Sequence, residues 1–113
     1  MRIVHYTTEQ GVDLFQKWLD DLRDFRARVA ILRRVDRMEQ GNFGDCKPCS
    51  EGVSELRIDV GPGYRVYFFQ HEEKVVVLLG GGDKRRQQAD IKKAITSRAE
   101  YLHRIKSERD HHE

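Results

Sequence analysis

Three basic side chains raise the chemical question in this sequence. Arg57 and Arg65 flank the turn of "SELRIDVGPGYRVYFFQ" (54–70), and Lys84 follows three glycines in "GGGDKRRQQ". Alternation along 54–70 predicts a β-hairpin with Leu56, Ile58, Val60, Tyr64, Val66 and Phe68 on one face. Arg57, Arg65 and Tyr67 fall on the other. A three-residue Gly61-Pro62-Gly63 loop would set Val60 against Tyr64, Ile58 against Val66 and Leu56 against Phe68. Asp59 then opposes Arg65, and Arg57 opposes Tyr67. Guanidinium forks suit phosphate oxygens, Lys84 acts as a point charge, and Tyr67 supplies a hydroxyl or a stacking ring. The plainer reading pairs Arg65 with Asp59, and Arg57 with Glu55 or Glu51, on an ordinary solvated face.

The segment after the glycines carries a second signal. A cation in the first turn of a helix is unfavourable by roughly 0.3–1 kcal/mol. Lys84, Arg85 and Arg86 all fall there if the helix starts near Asp83, their only local offset. A bound anion would compensate, because free N–H groups, the helix dipole and the cations all favour phosphate. Otherwise the three side chains splay into water. If the strand before Lys84 pairs with the hairpin, Arg57, Arg65 and Lys84 converge on one concave patch.

The elements that must position this patch follow from periodicity. "RIVHYT" (2–7) reads as a strand, and Val12, Phe15, Trp18, Leu19 and Leu22 predict a helix over 9–22. Asp24 caps a second helix with Phe25, Val29, Leu32 and Val35 facing inward, and Gly41 stops it. Residues 42–53, "NFGDCKPCSEGV", read as turn chemistry. "VVVLLG" (75–80) has no alternation and predicts a strand buried on both faces. A last helix uses Ala89, Ile91, Ala94, Ile95, Leu102 and Ile105. The order β-α-α-β-β-β-α predicts an α+β fold, a small twisted antiparallel-rich sheet packed with a helical hairpin and a terminal helix. One domain spans 1–107, followed by a polar, frayed tail at 108–113.

Composition narrows the classes. A chain of 113 residues suits one domain, and a net charge of +2 is too slight for a general nucleic-acid coat. A local anion site on a mixed surface remains. No apolar run reaches membrane-spanning length and the start lacks signal-peptide character, so a cytoplasmic location is expected. Cys46 and Cys49 form "CKPC", without a second pair for zinc or the helix start that a thioredoxin-like site needs. They read as small, partly buried thiols. His5 reads as a strand residue, while His103 and "DHHE" (110–113) would chelate metal only adventitiously. No G-x-S-x-G, H-E-x-x-H or Walker loop is present, and no cofactor or metal is expected.

Taken together, "GNFGDCKPCSEGV", "VSELRIDVGPGYRVYFF" and "VVVLLGGGDKRRQQADIKKA" resemble the RelE/ParE toxin superfamily, and most closely its HigB-like addiction module killer branch. The likeness runs from the first strand to the last helix. It implies a RelE-like fold and the toxin half of a type II toxin–antitoxin pair, with a helix-turn-helix antitoxin as partner. It also implies metal-independent mRNA cleavage on the ribosome through the ribose 2′-OH. Carried over, Arg57, Arg65 and Lys84 take the catalytic positions, and Lys47 a basic position in the preceding loop. Tyr67 and Arg85 are expected to contact substrate. Glu55, Tyr67 and a pKa-lowered Lys84 stand as candidate bases. The rivals are a ParE-like inhibitor of DNA gyrase without nuclease chemistry, and a catalytically weak toxin acting as an antitoxin-bound co-repressor.

Overall fold

Hydrophobic periodicity decides which faces meet in this chain. In the computed structural model, residues 1–111 are described; His112 and Glu113, the end of the expected tail, lie outside the described residues. The elements are β1 (Arg2–His5), α1 (Leu14–Asp21), α2 (Phe25–Glu39), β2 (Cys46–Ser50), β3 (Val53–Ile58), β4 (Tyr64–His71), β5 (Val75–Asp83) and α3 (Gln87–His111). The strands form one mixed sheet in the order β1-β5-β4-β3-β2. Only β1 runs parallel to its neighbour, β5.

Each face of the sheet has its own cover. α1 and α2 bring Phe15, Leu19, Ile31, Val35 and Met38 onto Leu56, Ile58, Val66, Phe68 and Leu78. On the reverse face α3 lies over Val53, Tyr67, Phe69, Val77 and Leu79, burying its own Ala94 among them. The unbroken apolar run of β5 thus serves two cores at once, as its lack of alternation predicts. The face bearing Arg57, Arg65 and Tyr67 is therefore only partly solvated.

Several expectations need correction. The turn-rich segment contains a strand, β2, so the order is β-α-α-β-β-β-β-α. Glu51 and Gly52 both have positive φ, 46° and 83°, the backbone of a two-residue hairpin turn. Pro48 is tolerated because β2 is an edge strand. The first helix begins at Leu14, not near residue 9. Residues 8–12 instead close a turn, and Asp13 caps the helix by accepting from the Gln16 N–H at 3.0 Å. The inward face of α2 is Ala27, Ile31, Val35 and Met38, leaving Phe25 at 72% and Leu32 at 46% exposure. Small Ala27 sets that phase because it lets the helix approach the core closely.

The β3–β4 hairpin is shifted from its expected register. Ile58 pairs with Tyr64, Leu56 with Val66, Glu55 with Tyr67, and Arg57 directly with Arg65. The loop is Asp59–Gly63, in which the Gly63 N–H reaches the Val60 carbonyl at 3.0 Å. Glycines at 61 and 63 carry the positive φ values that this longer loop requires.

Two further details shape the approach of α3. Lys84–Arg86 form a 3-10 turn, so the cations precede α3 rather than occupying its first turn, where Asp90 sits favourably instead. Polar positions 108–111 continue α3 as an exposed last turn. A Cβ on Gly81 would stand 2.3 Å from the Trp18 ring, which has no flexible end to move aside. Gly81→Ala is expected to lower unfolding free energy by about 2 kcal/mol, measured as a reduced urea midpoint at unchanged slope.

Candidate functional site

The strand register brings the predicted cations together. Arg57 and Arg65 are paired across β3 and β4, and Arg65 pairs with Gly82 of β5. Lys84 follows two residues later, its N–H donating to the Gly63 carbonyl at 3.2 Å. The three side chains line one hollow of about 340 Å³ with Asp45, Asp59 and the Gly61–Gly63 turn. Like charges facing each other across a ladder are destabilising unless compensated. Here each arginine has its own carboxylate. Asp45 Oδ1 accepts from Arg57 Nε at 3.1 Å and Nη2 at 2.9 Å. Glu55 Oε2 lies 3.2 Å from Arg65 Nε.

These two pairs differ in strength. Arg57 and Asp45 are both substantially exposed, at 37% and 55%, so their attraction is worth about 0–1 kcal/mol and yields readily to a competing anion. Glu55 is 1% exposed, and removing its cation would leave a buried carboxylate uncompensated. Gln87 Nε2 also donates to Glu55 Oε2 at 3.0 Å, and Lys47 Nζ stands 3.7 Å from Oε1. The Arg65 Nε atom is buried and makes no hydrogen bond of good geometry, so charge rather than alignment holds it there. The solvated-face reading rightly expects carboxylates beside both arginines. It names the wrong ones, Asp59 and Glu55 or Glu51 in place of Glu55 and Asp45.

The remaining predicted residues scatter. Lys47 faces Glu55 across β2 and β3, at the edge of an adjoining hollow with Cys49 and Gln87. Arg85 is 84% exposed and bonded to Asp83, whose carboxyl its hydrogen bond draws below the usual carboxylate range. Tyr67 leaves the site altogether. It is 1% exposed beneath α3, so it offers no ring for a base and does not line the Arg57–Arg65–Lys84 hollow. Its hydroxyl finds no partner, and burial, then Asp90 and Glu55, push its ionisation well above the ordinary phenol range.

Sequence reasoning misses Arg34, visible there only as one of an arginine cluster. Its Nη1 donates to the Arg57 carbonyl at 2.6 Å, and Nη2 to the carbonyls of Phe43 and Asp45 at 3.2 Å each. It fixes the loop that carries Asp45. The true helix phase, Ile31 to Arg34 to Val35 to Met38, is the signal that would have revealed it. Cys46 packs toward the α1/α2 core and Cys49 toward the α3 side, so β2 presents them to opposite faces as free thiols. Burial, reinforced by Glu55, pushes the Cys49 thiol up, away from a reactive thiolate. Among the described residues, no three His, Cys, Asp or Glu side chains gather around a possible metal position.

Comparison with known proteins assigns a family. Residues 17–101 match the model of the phage-derived Gp49-like protein family (DUF891). An uncharacterised protein of Haemophilus influenzae is 49% identical over 80 residues, covering 71% of this chain and 81% of the relative. The chain belongs to the Gp49-like family, which falls within the RelE-related toxin–antitoxin group.

The unpartnered Tyr67 hydroxyl has a measurable consequence for stability. A buried hydroxyl without a partner costs about 1–3 kcal/mol, so Tyr67→Phe is expected to raise unfolding free energy by about 1 kcal/mol near neutral pH. The folded phenol has the higher pKa, so wild-type stability is full below the unfolded value of about 10 and falls as pH rises through it. Denaturant titrations at pH 8 and 11 should show this alkaline loss in wild type and a smaller one in Tyr67→Phe.

Proposed function

We propose that this protein is a HigB-like toxin that stops translation by cutting mRNA on the ribosome at the Arg57–Arg65–Lys84 hollow. The observation that carries the reading is the gathering of those three cations in one cleft beside the Gly61–Gly63 turn. In the proposed reaction the ribose 2′-oxygen attacks the adjacent phosphorus and its proton passes to a cleft carboxylate, Asp59. The P–O5′ bond breaks, and Lys84 gives a proton to the departing 5′-oxygen. The products are a 2′,3′-cyclic phosphate and a 5′-hydroxyl. Arg57 and Arg65 hold the non-bridging oxygens, where charge grows in the transition state. DNA is refused because it lacks the nucleophile.

Glu55 supports this reading as a positioning residue, since its buried carboxylate keeps the Arg65 guanidinium against the sheet. Lys47 and Arg85, exposed cations outside the cleft, are proposed to guide the flanking backbone. No metal or cofactor enters the step. Membership of the toxin–antitoxin group implies an antitoxin, for which a helix-turn-helix protein is the proposed form and the cytoplasm the proposed place. No helix among the described residues is long and apolar enough to cross a membrane. A second reading, a toxin that disables a protein target such as DNA gyrase by binding alone, draws on exposed Phe25 and Leu32 of α2. A co-repressor that is inactive as a toxin is the third.

A translation extract separates the three. Wild-type protein is expected to leave mRNA fragments with cyclic-phosphate ends, and Arg65→Ala to cleave about 10²–10³-fold more slowly. Equal inhibition by both with intact mRNA would defeat the nuclease reading, and inhibited supercoiling would favour the second. Growth arrest on induction, relieved by co-expressed antitoxin, excludes the third.

A further inference from the structure

A second hollow lies beside α3, away from the three cations. It measures about 350 Å³ and runs between α1 and α3 over Leu79–Gly81. β1 pairs with β5 only as far as Leu78, so the Gly80–Gly81 edge has no strand neighbour on that side among the described residues. Glycine makes the walls possible. A Cβ on Gly81 would strike the Trp18 ring, and one on Gly82 would come within 2.0 Å of Asp90 Oδ2. Trp18 and Asp90 therefore close onto bare backbone from opposite helices.

The polar groups of this hollow are mismatched within the protein. Tyr67 lines it, and its hydroxyl is buried without any hydrogen-bond partner. Burial keeps that hydroxyl protonated, hence a donor at every physiological pH. The Asp90 carboxyl is half-buried, and desolvation raises its proton affinity against the opposing pull of Arg86 and Lys93. Lys17, Arg86 and Lys93 complete the lining with Asp21. The hollow thus combines an idle hydroxyl donor, a carboxylate acceptor, an aromatic wall and three cations.

We infer that this hollow binds a guanine base carrying a phosphate. Asp90 accepts from the ring N1–H and the exocyclic amine, while Tyr67 donates to O6. Trp18, packed on Gly81, walls the hollow on the α1 side, and Lys17, Arg86 and Lys93 face the phosphate. Adenine is disfavoured, because its unprotonated N1 would confront the carboxylate and it has no 2-amino group. The same chemistry is presented by a free nucleotide and by a guanosine within RNA. The inference stands apart from the nuclease reading, since none of Arg57, Arg65 and Lys84 lines this hollow.

Calorimetric titration of the full chain with 5′-GMP, 5′-AMP and inorganic phosphate tests it. GMP should bind at one site, with AMP weaker by about tenfold or more, the usual return on a two-bond base contact. Asp90→Asn should erase that preference, and Tyr67→Phe should weaken GMP several-fold with an unchanged circular dichroism spectrum. Should Asp90→Asn fail to fold, Lys93→Glu must weaken GMP instead. A guanosine-ended oligoribonucleotide binding about tenfold tighter than GMP identifies RNA as the source; equal affinity identifies the free nucleotide. No GMP binding, equal GMP and AMP affinities, or, in the Arg65→Ala variant, phosphate binding as well as GMP overturns the inference. Arg65→Ala should keep GMP affinity whatever happens to RNA cleavage, so the two readings fail independently.

Discussion

The buried carboxylate of Glu55 ties the sheet, the terminal helix and the cation cleft into one arrangement. It lies on β3, contacts Arg65 of β4, accepts from Gln87 at the start of α3, and faces Lys47 of the edge strand β2. An ionised side chain at 1% exposure survives only where opposite charge and donors surround it. That requirement constrains all four segments at once. Because Glu55 lies against Arg65, the guanidinium is kept in the lining of the cleft instead of wandering over the surface. The Arg57–Asp45 pair differs in kind, being exposed and exchangeable. One arginine is set and the other is available, as the proposed binding and release of an RNA backbone would need.

A second constraint is the absence of side chains at the end of β5. The glycines let Trp18 of α1 and Asp90 of α3 reach the strand from opposite helices. Larger residues there would lift both helices, and α3 could no longer bring Gln87 onto Glu55. The three glycines are read easily as a loop, yet they belong to a strand that continues to Asp83. Their role is close approach between elements rather than local flexibility.

Particular residues show where local pattern suffices and where it misleads. The β5 run, the N-caps at Asp13 and Asp24, and the αL stop at Gly41 arise from local chemistry, though Asp13 is recognisable as a cap only in the fold. The α2 phase misleads because Phe25 and Leu32 outweigh Ala27 in hydrophobicity, whereas closeness of approach favours the smaller residue. The hairpin register differs by one pair because turn length, not alternation, sets it, and both loop lengths leave the same residues on the same faces. Strand β2 is hidden because proline and cysteine suggest a turn, while an edge position makes proline harmless. Burial of Tyr67 depends on where α3 lands, which its own sequence does not announce.

By itself the sequence determined the α+β class, the two-sided burial of β5 and the company of Arg57 with Arg65 on one sheet face. Local propensity and period-two geometry act within a few residues, so these features needed no knowledge of distant parts. Only the tertiary structure decided which carboxylate attends each arginine, that Lys84 joins them, and that Tyr67 is withdrawn under a helix. Those outcomes depend on strand register and helix placement, which are set by the simultaneous fit of two cores across one sheet. Charges and hydroxyls far apart in the chain become neighbours there, and no local pattern encodes the match.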